Sequence, residues 1–69
     1  MTINKKIGRR IRQLRKEKNL SAQKLSELSG ATKTYITAVE RGEMNISINK
    51  LKALIDALDC NMEVVINEN

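Results

Sequence analysis

Between Leu20 and Gly42 the chain is punctuated so closely that only short helices fit between the marks. Ser21 is placed to cap a helix, since its hydroxyl can accept an orphan backbone N–H, and Leu25 and Leu28 supply that helix with an inward face. Ser29-Gly30 ends it, with glycine free to adopt the left-handed conformation that a sharp turn needs. Thr32 then caps a second short helix, whose buried side is Tyr35 in part, Ile36 and Val39, and Gly42 stops it after Arg41. A chain so marked folds locally into two short helices joined by a tight turn.

The flanks supply the rest of a core. Ile3, Ile7, Ile11 and Leu14 recur at helical spacing, with Lys5, Lys6, Arg9, Arg10, Arg12, Lys16 and Lys18 on the other faces. The pattern predicts an amphipathic, basic first helix ending near Lys18-Asn19. A loop through Glu43, Met44, Asn45 and Ile46 leads to Ser47, the cap of a fourth helix with Ile48, Leu51, Leu54, Ile55 and Leu58 on its apolar face. After Asp59-Cys60-Asn61, the β-branched run from Met62 to Ile66 reads as a short strand. One strand has no sheet, so the same strand of a second copy is the expected partner. Alternation then puts Met62, Val64 and Ile66 at the dimer interface, over the helical cores, and turns Glu63 and Val65 outward. Cys60 packs near the dimer axis in this scheme. Residues 1–61 form the helical domain and 62–69 the dimerisation strand and tail.

With 69 residues the chain has room for one modest core, and it carries no proline and no low-complexity linker. The single cysteine cannot close an intrachain disulfide, and without histidine no zinc set is visible. No cofactor, metal or catalytic residue is expected. No stretch approaches membrane-spanning length, so a soluble, cytoplasmic protein with no membrane partner is the expectation. Charge is uneven: residues 1–41 carry a balance of +8 and residues 42–69 one of −3. A basic first half suits a polyanion through salt-dependent attraction to phosphate, or is simply a solvated helix face.

Taken together, Ile11-Arg12-Gln13-Leu14-Arg15, Asn19-Leu20-Ser21, Leu25-Ser26, Gly30, Ile36 and Val39-Glu40-Arg41-Gly42 resemble the XRE/Cro–C1 type of helix-turn-helix, the family of lambda-type phage repressors. The likeness spans about residues 7 to 60. It implies an all-α fold, a compact four- to five-helix lambda-repressor-like bundle, here with a short C-terminal β-strand paired across a dimer. It also implies binding to double-stranded DNA as a homodimer on a palindromic operator. By the resemblance, Thr32, Lys33, Thr34, Thr37 and Ala38 lie on the exposed face of the recognition helix and make the base contacts. Lysine suits O6 and N7 of guanine, and threonine donates a hydrogen bond or packs its methyl on thymine. Arg12, Ser21, Gln23, Tyr35 and Asn45 are the implied phosphate contacts, and Arg15 and Glu40 match a structural salt bridge of the family. Three positions depart from its usual pattern: Ala22 replaces a phosphate-binding glutamine, Ser26 replaces alanine, and Glu43 stands where a basic residue is frequent.

The tail is similar to that of small HipB-type antitoxins, which pair a C-terminal strand across the dimer. The function implied is a dimeric, sequence-specific transcriptional regulator, an autorepressor. The alternatives are an antitoxin that also holds a toxin protein, or a protein-interaction module whose DNA binding has lapsed. An enzyme is disfavoured, since no base flanks Cys60 and no carboxylate cluster is in view.

Overall fold

A computed structural model describes residues 2–61 together with Glu63 and Val65. Its helices are α1 (Ile3–Glu17), α2 (Ala22–Ser29), α3 (Lys33–Glu40) and α4 (Ile48–Ala57). Each begins in the same way. Thr2, Ser21, Thr32 and Ser47 sit in extended backbone, and each side-chain oxygen accepts the N–H three residues on, from Lys5, Lys24, Tyr35 and Lys50. The ends are equally regular. Asn19, Gly42 and Asp59 turn into the left-handed region, and the next residue donates back across the last turn: Leu20 to Arg15, Glu43 to Ala38 and Cys60 to Ile55, at 3.0–3.1 Å. Gly30 closes α2 with φ +80°, and the Ser26 hydroxyl donates to the Ala31 carbonyl at 2.6 Å to hold the turn.

α1 packs on α3, and α2 packs on both α3 and α4. The core is Ile11, Leu14, Leu25, Ile36, Val39, Leu51, Leu54, Ile55, Leu58 and Val65, all at most 4% exposed. The α1–α3 crossing depends on Gly8. A Cβ there would strike the carbonyl oxygens of Val39 and Glu40, so the two backbones meet with no side chain between them. Gly42 is held against the Lys5 backbone in the same region.

The fold corrects three expectations. Leu28 is not an inward residue: it is 52% exposed. The inward stripe of α2 runs through Ala22, Leu25, Ser26 and Ser29, and two of those four are polar, which hid the true face from an apolar count. Ile3 and Ile48, each 67% exposed, sit at the first turns of their helices, where the apolar stripes overhang the core along a groove also lined by Ile7, Ile46 and Val65.

The third concerns the tail. Glu63 and Val65 have helical backbone, and no strand occurs among the described residues. Val65 does not face outward but is 2% exposed within the helical core. β-propensity is weak and yields to context: a helical turn satisfies backbone groups locally, whereas a lone strand must find a partner, and the Val65 side chain gains burial against the bundle. Met62, Val64 and Ile66, the expected dimer contacts, lie outside the described residues.

Candidate nucleic-acid interface

The turn at Gly30 fixes where α3 starts, and the α1–α3 contact fixes how it lies. What remains outward on α3 is a ridge at helical spacing: Lys33 and Thr34, then Thr37 and Ala38, then Arg41. Lys33 and Thr34 are exposed at its N-terminal end, and Lys33 enters no ion pair among the described residues. Thr32 is exposed, but its oxygen is occupied in capping α3 through the Tyr35 N–H at 3.0 Å; its hydroxyl proton stays available. Thr37 is half-buried and donates to the Lys33 carbonyl at 3.0 Å, so it offers a ligand its methyl and an acceptor rather than a donor. Ala38 is half-buried beside it.

Two clefts flank this ridge and share Thr37 and Arg41. One, of about 370 Å³, is lined by Arg12, Arg15, Ala22, Thr37, Glu40 and Arg41. Its floor is neutral, because Arg15 holds Glu40 with a two-pronged pair: Nε to Oε2 at 2.8 Å and Nη2 to Oε1 at 3.1 Å. The third guanidinium nitrogen, Nη1, donates to the Leu20 carbonyl at 2.8 Å. The hydrogen bond that Arg15 donates to the Glu40 carboxylate raises the Arg15 pKa above its ordinary value, against the opposing effect of burial. Arg12 and Arg41, at the lips, enter no ion pair among the described residues, so the cleft is cationic overall. The other cleft is lined by Lys33, Thr34, Thr37, Ala38, Arg41 and Glu43.

The remaining expected contacts lie outside the two clefts. Ser21 caps α2 by accepting from Lys24 at 3.0 Å and keeps a free hydroxyl proton. The Gln23 amide leans on Glu27 at 3.4 Å, an exposed pairing that breaks at little cost. Asn45 is exposed and accepts from the Asn4 amide, which ties the α3–α4 loop to the start of α1. Tyr35 is half-buried, with the Lys50 ammonium 4.6 Å above its ring centroid. Ser21 caps α2, Gln23 lies on α2, Tyr35 on α3 and Asn45 in the α3–α4 loop, so these four come from different parts of the chain.

Two residues of this surface escape a reading of the sequence. Arg41 had a signal, since it follows Thr37 at i+4 on the same face. Lys50 had none: it comes from α4 and reaches Tyr35 only through the tertiary fold.

Burial raises the Tyr35 pKa above its ordinary value of 10.0 by disfavouring the phenolate. Tyr35 is the one tyrosine of the chain and there is no tryptophan, so ultraviolet difference absorbance reads it alone. Its titration midpoint is expected above the ordinary tyrosine range in the folded protein and within that range in denaturant. The folded state then holds its proton longer, so this residue's stabilising share is complete below the ordinary range and is lost as pH rises through the raised value. Coincident midpoints in the two states would show an exposed ring and contradict its packing.

The helix-turn-helix family HTH_3 matches residues 11–65. The transcriptional regulator SinR of Bacillus licheniformis is 40% identical over 63 residues, which are 90% of this chain and 57% of that protein. The chain therefore spans little more than half the length of that relative. Among solved structures, the restriction-modification controller protein C.AhdI of Aeromonas hydrophila superposes with a TM-score of 0.87 at 39% identity, covering 90% of this chain and 94% of that one. The controller protein C.Esp1396I, a tetramer in complex with its natural 35 base-pair operator, superposes with a TM-score of 0.89 at 25% identity, covering 97% and 88%. With two capped helices joined at Gly30, the Arg15–Glu40 pair behind them and a family match over most of its length, the chain belongs to the HTH_3 family of helix-turn-helix proteins.

Proposed function

We propose that this protein is a sequence-specific DNA-binding transcriptional regulator that lays α3 in the major groove and acts as a homodimer on an inverted repeat. The observation that carries this reading is the α3 ridge itself, with exposed Lys33 and Thr34 at its N-terminal end and a cationic cleft on its flank. In this mode of docking, the N-terminal residues of the recognition helix reach base edges while neighbouring elements grip the backbone. Thr32, Lys33, Thr34, Thr37 and Ala38 are assigned to the bases, and Arg12, Ser21, Gln23, Tyr35 and Asn45 to phosphates. SinR is named a transcriptional regulator, and C.Esp1396I is seen on an operator; both support the reading. The DNA served lies in the cytoplasm. The relatives reported above are named as a transcriptional regulator and as controller proteins, which favours the regulator over the antitoxin reading.

Selection of binders from a random duplex pool tests the proposal. The expected result is an enriched inverted repeat whose half-sites lie about one helical turn, ~34 Å, apart. On that operator, Lys33→Ala is expected to cost roughly tenfold or more in affinity and to relax preference at one position per half-site. Arg12→Ala should instead weaken all sequences alike and reduce the salt slope by about 1 per subunit. A pool that enriches no sequence would refute sequence-specific binding.

A further inference from the structure

We infer that Glu43 is a specificity-determining residue that reads a cytosine in the operator. The inference rests on the DNA-binding reading and assigns it a further contact.

The two flanks of the α3 ridge differ in charge. On the Arg12 flank the carboxylate in the lining, Glu40, is consumed by Arg15, leaving Arg12 and Arg41 with no ion pair among the described residues. That flank complements a phosphate strand. On the other flank the Glu43 carboxylate is exposed and enters no ion pair among the described residues, although Lys33 and Arg41 line the same cleft. The cleft as a whole stays cationic, but a phosphate set directly against this carboxylate would be repelled. The surface that a carboxylate can face with gain in a duplex is a base edge offering a hydrogen-bond donor.

In the major groove that points to cytosine, whose N4 amino group is a donor with no acceptor beside it on the same base. Adenine also shows an amino group, but its N7 acceptor lies alongside and opposes a carboxylate. Lys33, in the same cleft, supplies the converse preference for guanine O6 and N7.

The backbone holds Glu43 in place for this role. Its N–H donates to the Ala38 carbonyl at 3.0 Å, and Gly42, at φ +74°, is wedged against the Lys5 backbone. The residue is thereby fixed to the end of the recognition helix rather than carried on a loose loop.

The test compares random-pool selections with wild-type protein, Glu43→Gln and Glu43→Ala. Because the side chain is exposed, both variants should melt with the wild type, which a thermal scan verifies. The wild-type consensus is expected to hold one cytosine per half-site that Glu43→Ala no longer selects, with all other positions unchanged. Affinity of Glu43→Ala for the wild-type operator should fall about tenfold. Glu43→Gln, which can both donate and accept, should lose the cytosine preference and admit adenine. An unchanged consensus bound as tightly or more tightly by Glu43→Ala would overturn the inference, because the carboxylate would then face phosphate. That outcome leaves the DNA-binding proposal intact. A wild-type pool with no consensus at all overturns both.

Discussion

Gly8→Ala is expected to destabilise the protein by about 3 kcal/mol, a large share of the stability of a domain this small. The sign is the opposite of what the local sequence says. Within a solvent-exposed helix, replacing glycine by alanine stabilises by roughly 1 kcal/mol, because the unfolded chain loses freedom and the helix gains a good former. Here the added methyl would land on the backbone oxygens of Val39 and Glu40. A side chain can rotate away from an intruder, but a carbonyl oxygen inside a helix cannot. The Val39 oxygen also accepts the Gly42 N–H at 3.0 Å, so pushing it aside damages the end of α3 as well. A domain of 69 residues has roughly 3–10 kcal/mol of stability in all, so the loss takes from about a third to nearly all of it. Thermal or urea unfolding followed by circular dichroism reads the effect directly. A Gly8→Ala protein that melts at or above the wild-type temperature would mean that α1 and α3 do not cross here.

That Gly8 matters is invisible in the sequence, where it is a lone glycine in a helical stripe. What is legible there is local chemistry. Ser21, Thr32 and Ser47 announce helix starts because a short hydroxyl side chain is suited to accept an orphan N–H. Gly30 and Gly42 announce stops because the left-handed turn costs glycine nothing. Asn19 makes the same turn at φ +58°, near where the basic helix was expected to end. Illegible features are those decided by what lies across the fold. Leu28 is apolar yet exposed, and Ser26 and Ser29 are polar yet turned inward, because the direction of α2 is set by its contacts with α3 and α4. Val65 reads as strand by composition and is helical, because its side chain is worth more in the core than in an unpaired ladder. For the site, the exposed face of α3 follows from periodicity once Ile36 and Val39 are known to be buried. The pairing of Lys50 with Tyr35 and the distinct charges of the two clefts needed the tertiary structure.

The Arg15–Glu40 pair should show a marked asymmetry between losing one partner and losing both. The side chains are 12% and 8% exposed, so their attraction is only partly screened, and each meets the other in fixed geometry. Arg15→Met strands the Glu40 carboxylate and also leaves the Leu20 carbonyl without its guanidinium donor. We expect a cost of about 2–4 kcal/mol, which for a domain of this size lowers Tm by on the order of 10–25 °C. Glu40→Leu strands the guanidinium but keeps its bond to Leu20, so its cost should be smaller. Arg15→Met with Glu40→Leu together should cost clearly less than the two single losses added, since no unpaired charge then remains at the α1–α3 seam. The contribution of Arg15 is insensitive to working pH. Its pKa is raised, so its stabilisation is complete below the ordinary arginine range and is lost only as pH rises through the raised value. Additive single and double costs would show that the pair is not coupled. Because Glu40 is the last residue of α3, the same cycle bears on DNA binding. A variant that stays folded but loosens this end of the helix should bind its operator more weakly, with Lys33 and Thr34 themselves unaltered.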